Sequence, residues 1–331
     1  MKITFFSTKP YDKQFFDACN KNYGFELEYY ETHLGPHIVD AVHESIAVCA
    51  FVNDKLTAEV LEALADKGVK TIALRCAGFN NVDLEAAKRL GLNVCRVPAY
   101  SPDAVAEFAL SLMLTLNRKT HKAYNRVREQ NFSLNGLLGF NMKGKKVGII
   151  GTGKIGYSLC KILLGMGCTV IAFDLYKNKE LEKIGVEYLS LDEVIKVSDI
   201  LSLHCPLTDD TYHLINEETI TIMKPGVMII NTGRGALIDT KAAIEGLKTR
   251  KIGYLGIDVY EQEDKLFFRD LSTKIITDDD IQRLMSFPNV LVTAHQAFFT
   301  SEALETIADV TLNSIDSLTK GIALRDASVL L

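Results

Sequence analysis

The sequence predicts an α/β protein that is built from two domains, each with a parallel β-sheet. Three observations predict this class: short apolar runs alternate with amphipathic segments, the runs have the length of buried strands, and 331 residues exceed what one hydrophobic core usually holds. Alternation of this kind is typical of βαβ units, whose helices cover both faces of a parallel sheet.

The first part of the chain contains five such apolar runs, which are KITFF, FELEYY, AVCAFV, TIALRC and NVCRV. After Pro98 the pattern changes, because Ser101 and Pro102 form a helix start for a long apolar helix that extends to about Asn117. This helix is apolar on most sides. The part that its own domain leaves uncovered favours a subunit interface, and we expect a homo-oligomer, either a dimer or a tetramer.

An irregular polar segment, roughly 119–146, precedes a second series of strands, which begins with the run KKVGIIG. Its apolar runs are KKVGIIG, TVIAFD, DILSLHC, VMIINTG, GYLGIDV and VLVTAH. The last segment, SEALETIADVTLNSIDSLTKG, predicts a helix with Gly321 as its C-cap. We expect the second domain, 99–297, to be inserted between the two parts of the first, 1–98 and 298–331, with a cleft at their junction.

Composition excludes several classes of protein. Hydrophobic residues make up 47% of the chain, charged residues 24%, and the net charge is −5, so no overall basic field would attract nucleic acid or a membrane. The N-terminus lacks the long apolar region of a signal peptide, and the apolar stretch 104–116 is too short to span a bilayer. The 7 cysteines include no CxxC pair, which predicts reduced thiols in the cytoplasm; no metal site is expected.

A glycine-rich motif lies between a predicted strand and a predicted helix. The motif is Gly151-Thr152-Gly153-Lys154-Ile155-Gly156. In a Rossmann domain the first glycine permits a tight turn, the second lets the pyrophosphate of a dinucleotide approach, and the third lets helix and strand pack closely. A glycine-rich turn without this function and a Rossmann methyltransferase are the alternatives.

The next predicted strand ends at Asp174, 18 residues beyond Gly156. A carboxylate at this position binds the adenosine ribose and repels a 2′-phosphate, so the sequence favours NAD over NADP.

Three polar clusters follow later strands of the same series. They are NTGRG with Arg234, DVYEQE with Glu263, and TAHQAF with His295. The apolar runs before them, 227–230, 253–259 and 290–294, are typical of buried parallel strands, whose carboxyl ends meet at one edge of a sheet. Ligands of open α/β sheets bind at that edge. We therefore expect the three clusters to share one crevice.

A histidine suits a reaction that exchanges hydride between nicotinamide and an alcohol or ketone, because a proton must move to or from the oxygen. His295 is the best placed of the 7 histidines. The alternative is a strand-end histidine that binds a loop carbonyl. His204 also ends a strand, but its apolar and Cys-Pro neighbours favour a structural role.

Charged groups complete this expectation. A carboxylate that binds an imidazole fixes the orientation of the ring and favours its protonated form. By spacing alone, both Glu261 and Glu263 could be this carboxylate. The alternative for both is a side chain in a solvated loop.

Arg234 lies between Gly233 and Gly235. Its guanidinium could bind the carboxylate of a 2-oxo acid through two parallel bonds, unless it is only a surface arginine in a turn.

In order and over most of the chain, the segments GTGKIG, LHCPLT, NTGRGALID, DVYEQE and TAHQAF resemble the D-isomer-specific 2-hydroxyacid dehydrogenases. Residues 73–83 (ALRCAGFNNVD) and 96–107 (RVPAYSPDAVAE) are similar to the bacterial fermentative D-lactate dehydrogenases of that family. The resemblance implies reversible reduction of pyruvate to D-lactate by NADH. It also implies that Arg234, Glu263 and His295 are catalytic, which favours Glu263 over Glu261.

The resemblance further implies binding residues. In addition to the glycines of the motif, the cofactor residues include Lys154 and Ile155 at the pyrophosphate and Asp174 at the ribose. Further cofactor residues are Cys205, Pro206 and Thr211 along the adenosine, and Thr232, Gly233, Arg234 and Asp258 near the nicotinamide. Those for the substrate, beside Arg234 and His295, are the amides of Ala77 and Gly78 at the carboxylate and an aromatic wall of Phe51, Tyr100, Phe298 and Phe299.

The aromatic wall favours a methyl group on the substrate. A dehydrogenase for a larger 2-oxo acid, such as phenylpyruvate or a branched-chain acid, is the nearest alternative. A more distant one is an NAD-sensing corepressor of the same fold, which would be expected to carry a disordered tail and a peptide groove.

Overall fold

The computed structural model describes residues 1–324 and 328–331, with residue 265 described by its backbone alone. The chain divides into two compact units, Met1–Ser101 with Phe299–Leu331, and Pro102–Phe298. Each unit contains one sheet in which every strand pairs in parallel, which confirms the predicted α/β class.

The sheet of the first unit has 5 strands in the order β2-β1-β3-β4-β5. They are β1 (Lys2–Phe5), β2 (Glu26–Tyr29), β3 (Ser45–Ala50), β4 (Thr71–Leu74) and β5 (Asn93–Arg96). The central strands β3 and β4 are mostly apolar and almost completely buried, as expected for a sheet with helices on both faces. The order places the carboxyl ends of β3, β4 and β5 side by side.

The sheet of the second unit has 7 strands in the order β12-β11-β10-β9-β6-β7-β8. They are β6 (Lys146–Ile150), β7 (Thr169–Phe173), β8 (Glu187–Tyr188), β9 (Ile200–Leu203), β10 (Val227–Asn231), β11 (Ile252–Ile257) and β12 (Val290–Val292). The last three strands are neighbours, so the segments that follow them emerge at one edge.

The helices follow the same division. They are α1 (Pro10–Asn20), α2 (Ala58–Asp66), α3 (Leu84–Arg89), α4 (Pro102–Arg118), α5 (Thr120–Arg128), α6 (Lys154–Gly165), α7 (Lys179–Lys183), α8 (Leu191–Val197), α9 (Glu217–Ile222), α10 (Thr240–Lys248), α11 (Asp279–Ser286) and α12 (Ser301–Thr319). The predicted long helix is α4. The predicted last helix is α12, and Gly321 beyond it has the left-handed φ of +72° that a C-cap requires.

The segment expected to be irregular over 119–146 contains α5. Lys119, with a φ of +52°, separates α5 from α4. None of the side chains of α5 is buried. Because Ala123, Tyr124 and Val127 are its only apolar residues, the apolar pattern that predicts the other helices is weak in this one.

No helix in the described part of the chain is long and apolar enough to cross a membrane. The same residues include no group of three or more His, Cys, Asp and Glu side chains that could hold a metal ion.

Candidate active site

The glycine loop between β6 and α6 has the geometry that its motif predicts. Gly151 has a φ of +93°, and a Cβ there would lie 2.5 Å from the backbone nitrogen of Cys205. A Cβ on Gly156 would overlap the carbonyl of Gly151. A Cβ on Gly153 would meet no atom within 4 Å, so this glycine leaves open surface at the N-terminus of α6, where the backbone can receive a phosphate group.

Asp174 follows β7 and lies against this loop. Its Oδ2 accepts hydrogen bonds from the backbone nitrogen of Thr152, at 2.6 Å, and from its Oγ1, at 3.0 Å. Leu175 and Tyr176, directly after it, are 83% and 85% exposed. The sequence alone did not identify this exposed apolar pair, although it directly follows Asp174, the residue expected to bind the ribose.

The segment after β9 contains the residues expected along the adenosine. Cys205 is half-buried, and burial raises the pKa of its thiol to about 11. Thr211 donates from Oγ1 to the carbonyl of Pro206 at 2.7 Å, so its side chain closes the loop 206–211. His204, before them, lies 2.8 Å from the hydroxyl of Ser202, and burial lowers its pKa to about 4.

The turn after β10 is closed by Asn231. Its Nδ2 donates to the carbonyl of Arg234 at 2.8 Å, and its Oδ1 accepts from the backbone nitrogen of Gly233 at 3.0 Å. The guanidinium of Arg234 is exposed, binds the carbonyl of Gly233 at 2.8 Å and pairs with no carboxylate in the described ranges. It is therefore available to an anionic ligand.

Glu263 and His295 meet between the ends of β11 and β12. Nδ1 of His295 lies 2.9 Å from Oε1 of Glu263, and the two side chains are 21% and 19% exposed. The backbone nitrogen of Tyr260 donates to the other oxygen of Glu263 at 3.0 Å. Since Nδ1 of the imidazole faces the carboxylate, Nε2 is the nitrogen left for a substrate.

Glu261, the other carboxylate that spacing allowed, has different partners. Its Oε1 lies 2.7 Å from Nε2 of His213, and its Oε2 accepts from the hydroxyl of Thr240 at 3.2 Å. Two carboxylates of the segment after β11 therefore contact two different imidazoles, and Glu263 is the one that contacts His295.

The backbone of His295 is held by Asp258. His295 has a φ of +54°, an uncommon value for a residue with a side chain, and its nitrogen donates to the carbonyl of Asp258 at 2.7 Å. The fully buried carboxylate of Asp258 accepts from Thr293 Oγ1, Gln296 N and Ala297 N at 2.5–2.8 Å. Burial raises the pKa of Asp258, and these bonds oppose the rise. Sequence reasoning placed Asp258 near the cofactor but missed its hold on the histidine loop.

In the first unit, the predicted substrate residues follow adjacent strands: Phe51 follows β3, Ala77 and Gly78 follow β4, and Tyr100 follows β5. Arg96 donates to the carbonyl of Ala77 at 2.9 Å. In the part of the chain that the structure describes, the N–H groups of Ala77 and Gly78 donate no hydrogen bond. These two donors are therefore free to bind an anion.

The remaining aromatic residues differ in environment. The backbone nitrogen of Phe51 donates to Asp54 at 2.6 Å, and the guanidinium of Arg75 lies 4.9 Å from its ring centroid. Phe298 is buried in the second unit, with 8% of its surface exposed. Phe299 belongs to the first unit, is 44% exposed, and packs edge-on against Tyr11 at 4.7 Å.

Two features of the second unit fit a dinucleotide. The open surface at Gly153 offers backbone donors to a pyrophosphate. The hydroxyl of Thr232, on the turn that carries Arg234, is buried and has no hydrogen-bond partner within the described residues. A buried hydroxyl of this kind is costly unless a ligand group satisfies it.

Comparisons with known proteins agree with this geometry. Residues 110–297 match the family model of the NAD-binding domain of D-isomer-specific 2-hydroxyacid dehydrogenases. Over 321 residues the chain is 55% identical to a 2-hydroxyacid dehydrogenase homolog of Haemophilus influenzae, covering 97% of both chains. It is 54% identical to a D-lactate dehydrogenase of Escherichia coli, covering 97% of this chain and 98% of that one.

The fold comparison gives the same result. The apo-structure of D-lactate dehydrogenase from Escherichia coli aligns over 100% of both chains, with a TM-score of 0.93 and 51% identity. The predicted fold, family and cofactor are thus confirmed. The chain belongs to the D-isomer-specific 2-hydroxyacid dehydrogenases and is an NAD-dependent enzyme of that family.

Proposed function

We propose that this enzyme reduces pyruvate to D-lactate with NADH and catalyses the reverse reaction. The observation that carries the proposal is the 2.9 Å contact between Glu263 and His295. One strand away lies Arg234, whose guanidinium pairs with no carboxylate among the described residues. A proton donor, its carboxylate partner and an anion-binding cation are the groups that reduction of a 2-oxo acid needs. Relatives named D-lactate dehydrogenase support pyruvate as the substrate.

The residues that would hold the cofactor lie in the second unit. Lys154 and Ile155, with the glycine loop, hold the pyrophosphate at the N-terminus of α6, and Asp174 binds the ribose. The remaining contacts are assigned to Cys205, Pro206, Thr211, Thr232, Gly233, Arg234 and Asp258. When bound, NADH supplies the hydride that the carbonyl carbon accepts.

Three side chains then act on the substrate. Arg234 binds the carboxylate through its two-pronged guanidinium and orients the keto group. Nε2 of His295 donates a proton to the carbonyl oxygen as negative charge develops there. Glu263 holds the imidazole in place from Nδ1, so that Nε2 faces the substrate. In the reverse direction His295 takes the proton from the hydroxyl group.

The remaining binding groups in this proposal are backbone amides and aromatic side chains. The free N–H groups of Ala77 and Gly78 bind the substrate carboxylate. Phe51, Tyr100, Phe298 and Phe299 form the aromatic wall that limits the side chain at C3. The backbone N–H of Phe51 donates to Asp54 at 2.6 Å, which holds this residue of the wall in place.

The substrate proposal is tested by steady-state NADH oxidation with pyruvate, 2-oxobutyrate, oxaloacetate and phenylpyruvate. We expect the highest kcat/KM with pyruvate, and much weaker activity when NADPH replaces NADH. A preference for phenylpyruvate would support the rival assignment to larger 2-oxo acids. Oxidation with none of the four would refute the proposed function.

The segment 124–138 supports a homo-oligomer. It exposes five large apolar side chains, which are Tyr124, Val127, Phe132, Leu134 and Leu138, the last at 87%. Apolar groups clustered in this way mark interaction surfaces, and we propose that a second copy of the chain covers them. Leu134→Ser with Leu138→Ser should lower the mass measured by light scattering. The control Ile275→Ser, which changes a 92% exposed residue elsewhere, should leave it unchanged.

We also propose that the enzyme works in the cytoplasm, in fermentation. The 7 cysteines are all free thiols, which fits a reducing compartment. The reaction itself returns NADH to NAD, as fermentation requires.

A further inference from the structure

Arg96, the last residue of β5, contacts the loop after β4 at two points. Its Nη1 donates to the carbonyl of Ala77 at 2.9 Å. Its guanidinium carbon lies 4.9 Å from the ring centroid of Phe79, a cation–π contact. A backbone bond of 3.2 Å from Val97 to the carbonyl of Cys76 joins the same two segments. The loop 76–79 is therefore fixed to the end of β5.

The bond to Ala77 determines where the next N–H group points. A trans peptide is planar, and its C=O and N–H point in opposite directions; the described residues contain no cis peptide bond. Because Arg96 holds the carbonyl of Ala77 on the β5 side, the N–H of Gly78 points away from β5. In the order of the sheet, the strand on that other side of β4 is β3, which ends before Phe51.

The same bond strengthens the N–H as a donor. A cation bound to a peptide carbonyl polarises the peptide group, so the attached N–H carries more positive charge. The N–H of Gly78 has no hydrogen-bond acceptor in the ranges that the structure describes. An anion is the ligand that a polarised and unoccupied donor favours.

We propose that Arg96 is a positioning residue for substrate binding: it holds and polarises the Ala77–Gly78 peptide so that its N–H binds the carboxylate of the 2-oxo acid. This role rests on the proposed function, since it assumes that the carboxylate binds these amides. Arg96 itself does not touch the substrate. It acts through the peptide, and it therefore affects affinity for the carboxylate more than the proton transfer at His295.

The test compares Arg96→Met, which removes the donor, with Arg96→Lys, which keeps a cation able to reach the carbonyl. Arg89→Met is the matched control, because Arg89 is an exposed arginine of the same unit that pairs with Glu62. The measurements are kcat, KM for pyruvate, KM for NADH, and the inhibition constant of oxamate, an amide that copies the shape and carboxylate of pyruvate.

For Arg96→Met we expect KM for pyruvate and the inhibition constant of oxamate to rise together, roughly tenfold, as for loss of a charge-assisted hydrogen bond. We expect kcat and KM for NADH to stay within about twofold. Arg96→Lys should lie between Arg96→Met and the wild type, and Arg89→Met should match the wild type. The equal rise of the two carboxylate constants is the result that a purely structural role would not produce.

Three outcomes would overturn this role. The first is an unchanged oxamate constant in a folded Arg96→Met variant. The second is an equal loss of kcat and of affinity for both pyruvate and NADH, which indicates general damage to the fold. The third is an Arg96→Lys variant that binds oxamate no better than Arg96→Met. Failure of the proposed function would look different, because the wild-type enzyme would then fail to oxidise NADH whichever 2-oxo acid is supplied.

Discussion

Glu263 contacts Nδ1 of His295 at 2.9 Å, although a second carboxylate stands only two residues earlier in the chain. That second carboxylate, Glu261, instead lies 2.7 Å from His213. The two pairs have the same chemistry and differ in which imidazole each carboxylate holds. They therefore form a matched comparison inside one short segment, and the assigned roles predict opposite results for the two.

Replacement of Glu263 by alanine should lower kcat for pyruvate reduction. Glu263 contacts Nδ1 of His295, so its loss removes the group that orients the imidazole for proton transfer. We expect kcat to fall roughly 10- to 100-fold. Glu261→Ala, which removes the carboxylate that contacts His213, should leave kcat close to that of the wild type. Equal losses of kcat in the two variants would show that contact with His295 is not what matters.

Arg234→Lys should weaken binding of the substrate carboxylate. A lysine keeps the charge but lacks the planar fork that binds a carboxylate through two parallel bonds. We expect KM for pyruvate to rise at least tenfold, a loss of about 1.4 kcal/mol of binding free energy. The KM for NADH, measured in the same assay, should change much less. A KM for pyruvate equal to that of the wild type would mean that the carboxylate is held elsewhere.

The glycines on either side of Arg234 should respond differently to alanine. A Cβ on Gly235 would overlap the backbone of Tyr260, whereas one on Gly233 would meet atoms only at ordinary contact distances from 3.5 Å. Gly235→Ala should push apart the turns that carry Arg234 and Glu263, with a cost of about 1–3 kcal/mol in unfolding free energy and a loss of activity. Gly233→Ala is the control for the unfolding free energy, which should stay near that of the wild type. Equal unfolding free energies of the two variants would contradict the close packing of these turns.

His204 should make the protein less stable in mild acid. Burial lowers its pKa to about 4, below the value of about 6.5 for an unfolded chain, so between these values the unfolded state binds more protons. The contribution of His204 to the free energy of unfolding is therefore complete above about pH 6.5, and it is lost as the pH falls toward 4. From pH 7 to pH 5 the loss from this group is at most about 2 kcal/mol.

Urea unfolding at the two pH values checks this expectation. His204→Gln, which keeps a polar group near Ser202, should lose less stability between pH 7 and pH 5 than the wild type. The exposed His37→Gln is the control. An identical loss in the wild type and His204→Gln would show that His204 is not the group that titrates.

The fold and the outline of the site follow from patterns that one sequence contains. Apolar runs at regular spacing identify the strands, and the strand ends identify Arg234 and His295, because parallel strands expose their carboxyl ends at one edge. The glycine motif has a direct structural meaning, since Gly151 and Gly156 each lie where a Cβ would meet backbone atoms. These features depend on local sequence alone.

Other features depend on contacts between distant segments, which local patterns do not specify. Spacing could not choose between Glu261 and Glu263, because the choice depends on His213 and His295, which lie in the segments after β9 and β12. The hold of Asp258 on the His295 loop joins β11 to the segment after β12. Arg96 reaches the carbonyl of Ala77 from a neighbouring strand. Such partners become visible only when the sheet order is known.

The most direct test of the central claim is chiral analysis of the product that the purified enzyme forms from pyruvate and NADH. The assigned roles of Arg234, Glu263 and His295 in a D-isomer-specific enzyme predict stoichiometric oxidation of NADH and a product that is D-lactate. Formation of L-lactate, or pyruvate that remains unreduced while NADH persists, would contradict the claim.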